Sequence, residues 1–259
     1  RLDGLLNYSD DEERDYDVQT RRCIIIELYK DTLLHQWMRP SEREGRQRTL
    51  LIIGDIKHET PETEYSELSY PLAWLARFLD EKTECLTLSY TAFSNMNEWK
   101  GTGVDVLVSL VTQLVVQIAL KRDRINIQSF LEDTKNRLYE AKGSLESITA
   151  LFHRLLDILP ADETVHIIMD FNSVPGSHAV IKTIWDLTNR EGAVVKLLIA
   201  DYDIEKDYEV VCRYREDEPY FEMITVNMGG GSPKKPEEKD AHKLWKDVMD
   251  LDDTTNGYT

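Results

Sequence analysis

Cysteine is scarce in this chain, glycine and proline are few, and basic residues are heavily outnumbered. The three cysteines, Cys23, Cys85 and Cys212, lie far apart in apolar runs. An odd, scattered set offers neither a disulfide framework nor zinc spacing, and suits small buried hydrophobes in a reducing compartment. Lys and Arg number 31 against 48 Asp and Glu, a formal net charge of -17. Surfaces that grip nucleic acid concentrate Lys and Arg against phosphates, so this balance argues against a nucleic-acid-binding module. The basic patches are small, as at Arg43 to Arg48. No signal peptide and no apolar run near twenty residues is present, which argues against a membrane-spanning chain. Six histidines are scattered: His58 and His153 lack a partner at metal or catalytic spacing, and His166 falls in an expected strand. There is no G-x-S-x-G and no paired Cys and His motif for nucleophilic catalysis. The expectation is an intracellular protein, nuclear or cytoplasmic, without metal or cofactor. Opening at Arg1 rather than Met, it is expected to be a piece of something longer.

What is present is enough for a sizeable core: 259 residues, 41% hydrophobic and 31% charged, the ordinary range for a globular chain. After the acidic opening NYSDDEERDYD, the apolar spacing of VQTRRCIIIELYKDTLLHQWM predicts one amphipathic helix. TLLII, residues 49 to 53, is short, apolar and stopped by Gly54, which predicts a buried strand. YPLAWLARFLDEK is the next helix, with Ser69 and Pro71 at its start, where a missing N–H costs nothing. TECLTLSYTAF, VHIIMDF, AVVKLLIAD and EMITVNM predict four more strands. Between them GVDVLVSLVTQLVVQIALKR, QSFLEDTKNRLYEAK, LESITALFHRLLDILP and AVIKTIWDLTNRE predict helices. Strands alternating with helices give an α/β fold, a parallel sheet covered by helices on both faces.

In this order the elements resemble the NACHT-type P-loop NTPase domain of the STAND class, in its fungal form, over about residues 20 to 228. RRCIIIELYKDTLLHQWM resembles the family's lead-in helix, and SLVTQLVVQ its Leu-Leu-x-Gln-Leu phrase. LFHRLLDILPADETVHIIMD resembles the approach to the Walker B strand, and VVKLLIADYD takes the place of the strand ending in Ser-Ser-Arg-Pro. The resemblance implies a nucleotide site, yet its working parts are missing. A P-loop, G-x-x-x-x-G-K-[ST], cradles phosphates with backbone N–H groups, neutralises them with the lysine and holds magnesium with the hydroxyl. Counted from Gly54, the second glycine, lysine and hydroxyl fall on Glu59, Thr60 and Pro61; anchored on LAWLARFL, the Lys-Ser-Thr positions fall on Leu72, Ala73 and Trp74. Glu59, Glu62, Glu64 and Glu67 would add repulsion on the order of 1 kcal/mol per pair, even when screened. Asp170 keeps the Walker B position, while the water-activating acids correspond to Ser173 and Val174, and the arginine and proline of Ser-Ser-Arg-Pro to Tyr202 and Asp203. Gly54, Lys57 and Asp170 are therefore vestigial positions. For Lys57 the plain alternative is a solvated surface lysine, and for Asp170 a cap on the following loop.

At MGGGS, residues 228 to 232, the character changes. A Gly-Gly-Gly-Ser run is a flexible spacer, either an engineered linker to a partner peptide or a natural hinge. Beyond it Ala241, Leu244, Trp245, Val248 and Met249 share one helical face, with lysines and aspartates on the other. So short a helix needs a groove to be stable, with Trp245 as its anchor; a disordered tail is the alternative. The expected organisation is an acidic segment and lead-in helix in residues 1–48, then a degenerate NACHT-like P-loop domain in 49–228. A Gly/Ser linker follows in 229–232 and an amphipathic docking peptide in 233–259, with Leu244, Trp245, Val248 and Met249 making the contact. The expected function is a catalytically inactive scaffold that binds a short amphipathic helix. The alternatives are an ATP- or GTP-dependent switch and a nucleic-acid-binding module.

Overall fold

The chain's computed structural model describes residues 24–25, 28, 30–39, 49–55, 68–91, 103–122, 125, 144–170, 177–201 and 221–227. Along them run α1 (Thr32–Met38), β1 (Thr49–Asp55), α2 (Ser69–Lys82), β2 (Leu86–Tyr90) and α3 (Gly103–Lys121). Then come α4 (Leu145–Asp157), β3 (Thr164–Asp170), α5 (Ser177–Thr188), β4 (Val194–Asp201) and β5 (Phe221–Asn227). All five expected strands form, and they make one sheet in the order β2-β3-β4-β1-β5. Every pairing is parallel. The expected helix at QSFLEDTKNRLYEAK lies outside the described residues, as does the segment after β5.

Alternation along the strands sorts the side chains into two layers. Leu86, Leu88, Val165, Ile167, Met169, Val195, Leu197 and Ile199 face α3, α4 and α5 in the larger core. Leu50, Ile52, Ile168, Leu198 and Ala200 face α1 and α2 in the smaller one. The division follows from winding. The chain crosses from β1 to the far edge at β2, then steps back through β3 to β4, so right-handed crossovers put α2 on one face and α3, α4 and α5 on the other.

The helices form where the apolar period demands it. In α4, Ile148, Leu151, Phe152, Leu155 and Leu156 make a single buried stripe, and Ser144 caps its start by accepting from the Ser147 N–H at 3.3 Å. α3 is long and apolar enough, by length and composition, to cross a membrane. Within it Val106, Leu107, Leu110, Val111, Leu114 and Ile118 are buried in the larger core, while Val116 and Leu120 are exposed.

Two expectations need correction. The lead-in helix is broken at Asp31, whose carboxylate accepts from the N–H groups of Leu33 at 2.7 Å and Leu34 at 3.3 Å. Asp31 therefore caps a new helix, which an interior position would not allow. β1 also runs on through Gly54 to Asp55, because both remain paired to β5, at Val226 and Asn227.

Candidate functional site

The carboxyl ends of β3, β4 and β1 sit side by side. Asp170 pairs with Ala200, and Asp201 with Ile53. Winding reverses at β1, and open α/β sheets hold ligands at the carboxyl edge beside such a reversal. Asp170 closes β3 there, fully buried. Its carboxylate accepts the hydroxyl of Ser69, the first residue of α2 and equally buried. Asp170 thus binds a helix start from a separate part of the chain.

Ser69 is the residue that sequence reasoning missed. Counting from the glycine placed the P-loop hydroxyl at Pro61, and counting from LAWLARFL placed it at Ala73 and Trp74. The latter two lie inside α2, past its first turn, because the helix begins at Ser69. The signal available in the sequence was position alone: Ser69 opens the helix that follows β1, and the count from Gly54 does not reach it. Leu68 precedes it in the chain. Leu68 is fully buried in the smaller core, so an apolar side chain stands immediately before the Ser69 hydroxyl. Hydroxyl and carboxylate oxygens are ligands that Mg²⁺ accepts, but Leu68 supplies no charge for a phosphate. Among the described residues no group of three or more His, Cys, Asp or Glu is placed to hold a metal ion. Gly54 lies within β1, while Lys57, Leu244, Trp245, Val248 and Met249 lie outside the described residues.

The chain matches no protein-family model and no curated protein.

A second polar group lies deeper, beneath α1. Thr87, His166 and Lys196 stand in register across β2, β3 and β4, and all three are buried. The Lys196 ammonium donates to the carbonyls of Trp37 at 2.8 Å and Arg39 at 2.5 Å. It thereby satisfies the end of α1, where the helix dipole favours a cation. The Trp37 and His166 rings meet edge to face, their centroids 4.8 Å apart. Neither imidazole nitrogen is in hydrogen-bonding geometry. Burial first, and then the Lys196 charge, push the His166 pKa down to about 3, against the weaker opposing pull of the Trp37 and Met38 carbonyls. A histidine held neutral at physiological pH beneath a helix is a packing group.

Between α2 and the residues from Ile25 through α1 lies a shallow, partly open apolar groove that encloses only about 10 Å³. Ile25, Leu28, Leu34 and Met38 line one side; Trp74 and Phe78 line the other. The Trp74 and Phe78 rings stack with centroids 5.4 Å apart. Both are only partly buried, leaving aromatic surface at the groove mouth.

Proposed function

We propose that this chain is a non-catalytic α/β docking domain, a degenerate relative of NACHT-type NTPases, whose α1–α2 groove receives a short amphipathic helix. The observation that carries the reading is the apolar groove itself, walled by aliphatic side chains on one side and a stacked aromatic pair on the other. Such grooves read a helix through anchors at i, i+3, i+4 and i+7. Residues 241 to 251 supply that pattern, with Leu244, Trp245, Val248 and Met249 on one face. The tether from Met228 raises the local concentration of this peptide to roughly millimolar, so a weak contact is enough.

A labelled peptide of residues 233 to 259, titrated with the full chain, tests the idea. The parent competes with its own tail, so the Trp245→Ala chain, its groove vacated, should bind the peptide more tightly. Adding Trp74→Ala should abolish that binding. Within the peptide Trp245→Ala should cost about 2 kcal/mol or more, and Lys246→Ala far less. No binding to any chain, or equal losses from the two peptide changes, would overturn the reading. Turnover of ATP or GTP is expected at background only; turnover abolished by Asp170→Ala would overturn the non-catalytic part.

One observation favours a second reading, a nucleotide-dependent switch: the Ser69–Asp170 pair places a hydroxyl and a carboxylate at the carboxyl edge of the sheet. Melting with Mg-ATP or Mg-GTP separates the two, since a ligand at one hundred times its dissociation constant adds about 2.7 kcal/mol of stability. The docking reading expects no shift.

A further inference from the structure

Among the described residues β2 lies at the end of the sheet, with β3 on one side. In a parallel ladder the backbone groups of alternate residues point away from the partner strand. At Thr87 and Ser89 those groups meet two amide side chains from α3. Gln113 accepts from the Ser89 N–H at 2.9 Å through Oε1 and donates to the Ser89 carbonyl at 2.9 Å through Nε2. Gln117 accepts from the Thr87 N–H at 2.7 Å and donates to the Thr87 carbonyl. Each amide offers one acceptor and one donor to one residue's N–H and C=O, which is how a neighbouring strand would pair. Lys121 continues the series by donating to the Cys85 carbonyl at 3.1 Å.

The spacing explains why the match runs so far. Four residues of helix rise about 6.0 Å, and two residues of parallel strand about 6.6 Å. A helix antiparallel to a strand can therefore set positions 113, 117 and 121 against 89, 87 and 85. The strand covered in this way is LTLSY, in the setting ECLTLSYTAF. Nothing within LTLSY blunts the edge, because it contains no charge and no proline, and such strands recruit further strands when exposed.

We propose that Gln113, Gln117 and Lys121 are a built-in guard that occupies the free edge of β2 and prevents a second copy of this chain from adding a strand there. A second copy is the relevant partner because it carries the same uncharged strand at the same concentration. The guard is independent of the α1–α2 groove, which lies on the opposite face of the sheet.

Analytical ultracentrifugation of the full chain and of the Gln113→Ala/Gln117→Ala variant tests the guard. The variant should associate with an apparent dimer dissociation constant about tenfold or more below the parent's. Adding Ser89→Pro removes an outward N–H while sparing the β3 ladder, as edge strands tolerate, and should restore the parent's distribution. A folded double variant that sediments like the parent would overturn the proposal. So would association that Ser89→Pro leaves unchanged. If the alanine pair fails to fold, Gln113→Met/Gln117→Met keeps side-chain length while removing the amide bonds, and the same outcomes decide.

Discussion

His166 shows how one buried residue ties stability to pH. Its folded pKa of about 3 lies below the ordinary 6.5, so below pH 6.5 the unfolded chain binds a proton that the native chain refuses. The stabilisation from neutral His166 is complete above pH 6.5 and lost progressively as pH falls toward 3. From pH 7 to pH 5 that loss is about 2 kcal/mol. Urea unfolding of the parent and of His166→Gln should therefore converge over this range, the parent losing about that much more. A parallel pH dependence in both would show that His166 is protonated in the native state. Ser69 makes a different demand. Ser69→Ala leaves a buried carboxylate short of a hydroxyl donor and should cost about 1–3 kcal/mol, measured by the same denaturation.

At the scale of elements, α1 is held by its two ends. Asp31 satisfies its first N–H groups, and Lys196 its last carbonyls from below. Asp31→Ala should cost about 1 kcal/mol, as cap removals do. Lys196→Met should cost more, about 1–3 kcal/mol, because it leaves two carbonyls short of a buried donor. It should also raise hydrogen exchange in α1 before α4, since only α1 depends on that contact. Equal exchange in both helices would show that α1 is held by apolar packing alone. A comparable side-chain tie lies at the far end of α3. Arg122 meets both carboxylate oxygens of Glu163, at 2.5 and 2.6 Å, joining the end of α3 to the residue before β3.

Across the whole molecule the two cores share one sheet. The even positions of β3 and β4 serve the smaller core and the odd positions the larger, so neither layer can lose its sheet face without the other losing its backing. Leu72→Ala in the smaller core and Leu110→Ala in the larger should each cost about 2–5 kcal/mol. Both should move one common unfolding transition, reported alike by Trp37 on one face and Trp185 on the other in single-tryptophan variants. Separate transitions would show two independent units. The sequence by itself determined the strands and most helices, because apolar period and run length are local properties that survive without knowledge of neighbours. Asp170 at the end of β3 and the helix at α4 were legible for that reason. Tertiary structure alone decided what these residues meet. Ser69 and Asp170 are 101 positions apart, Lys196 caps a helix 157 to 159 positions earlier, and Gln113 and Gln117 read as ordinary helix residues until β2 lies beside them. Such pairings depend on strand order, and strand order is set by how two apolar layers close on one sheet rather than by any single stretch of chain.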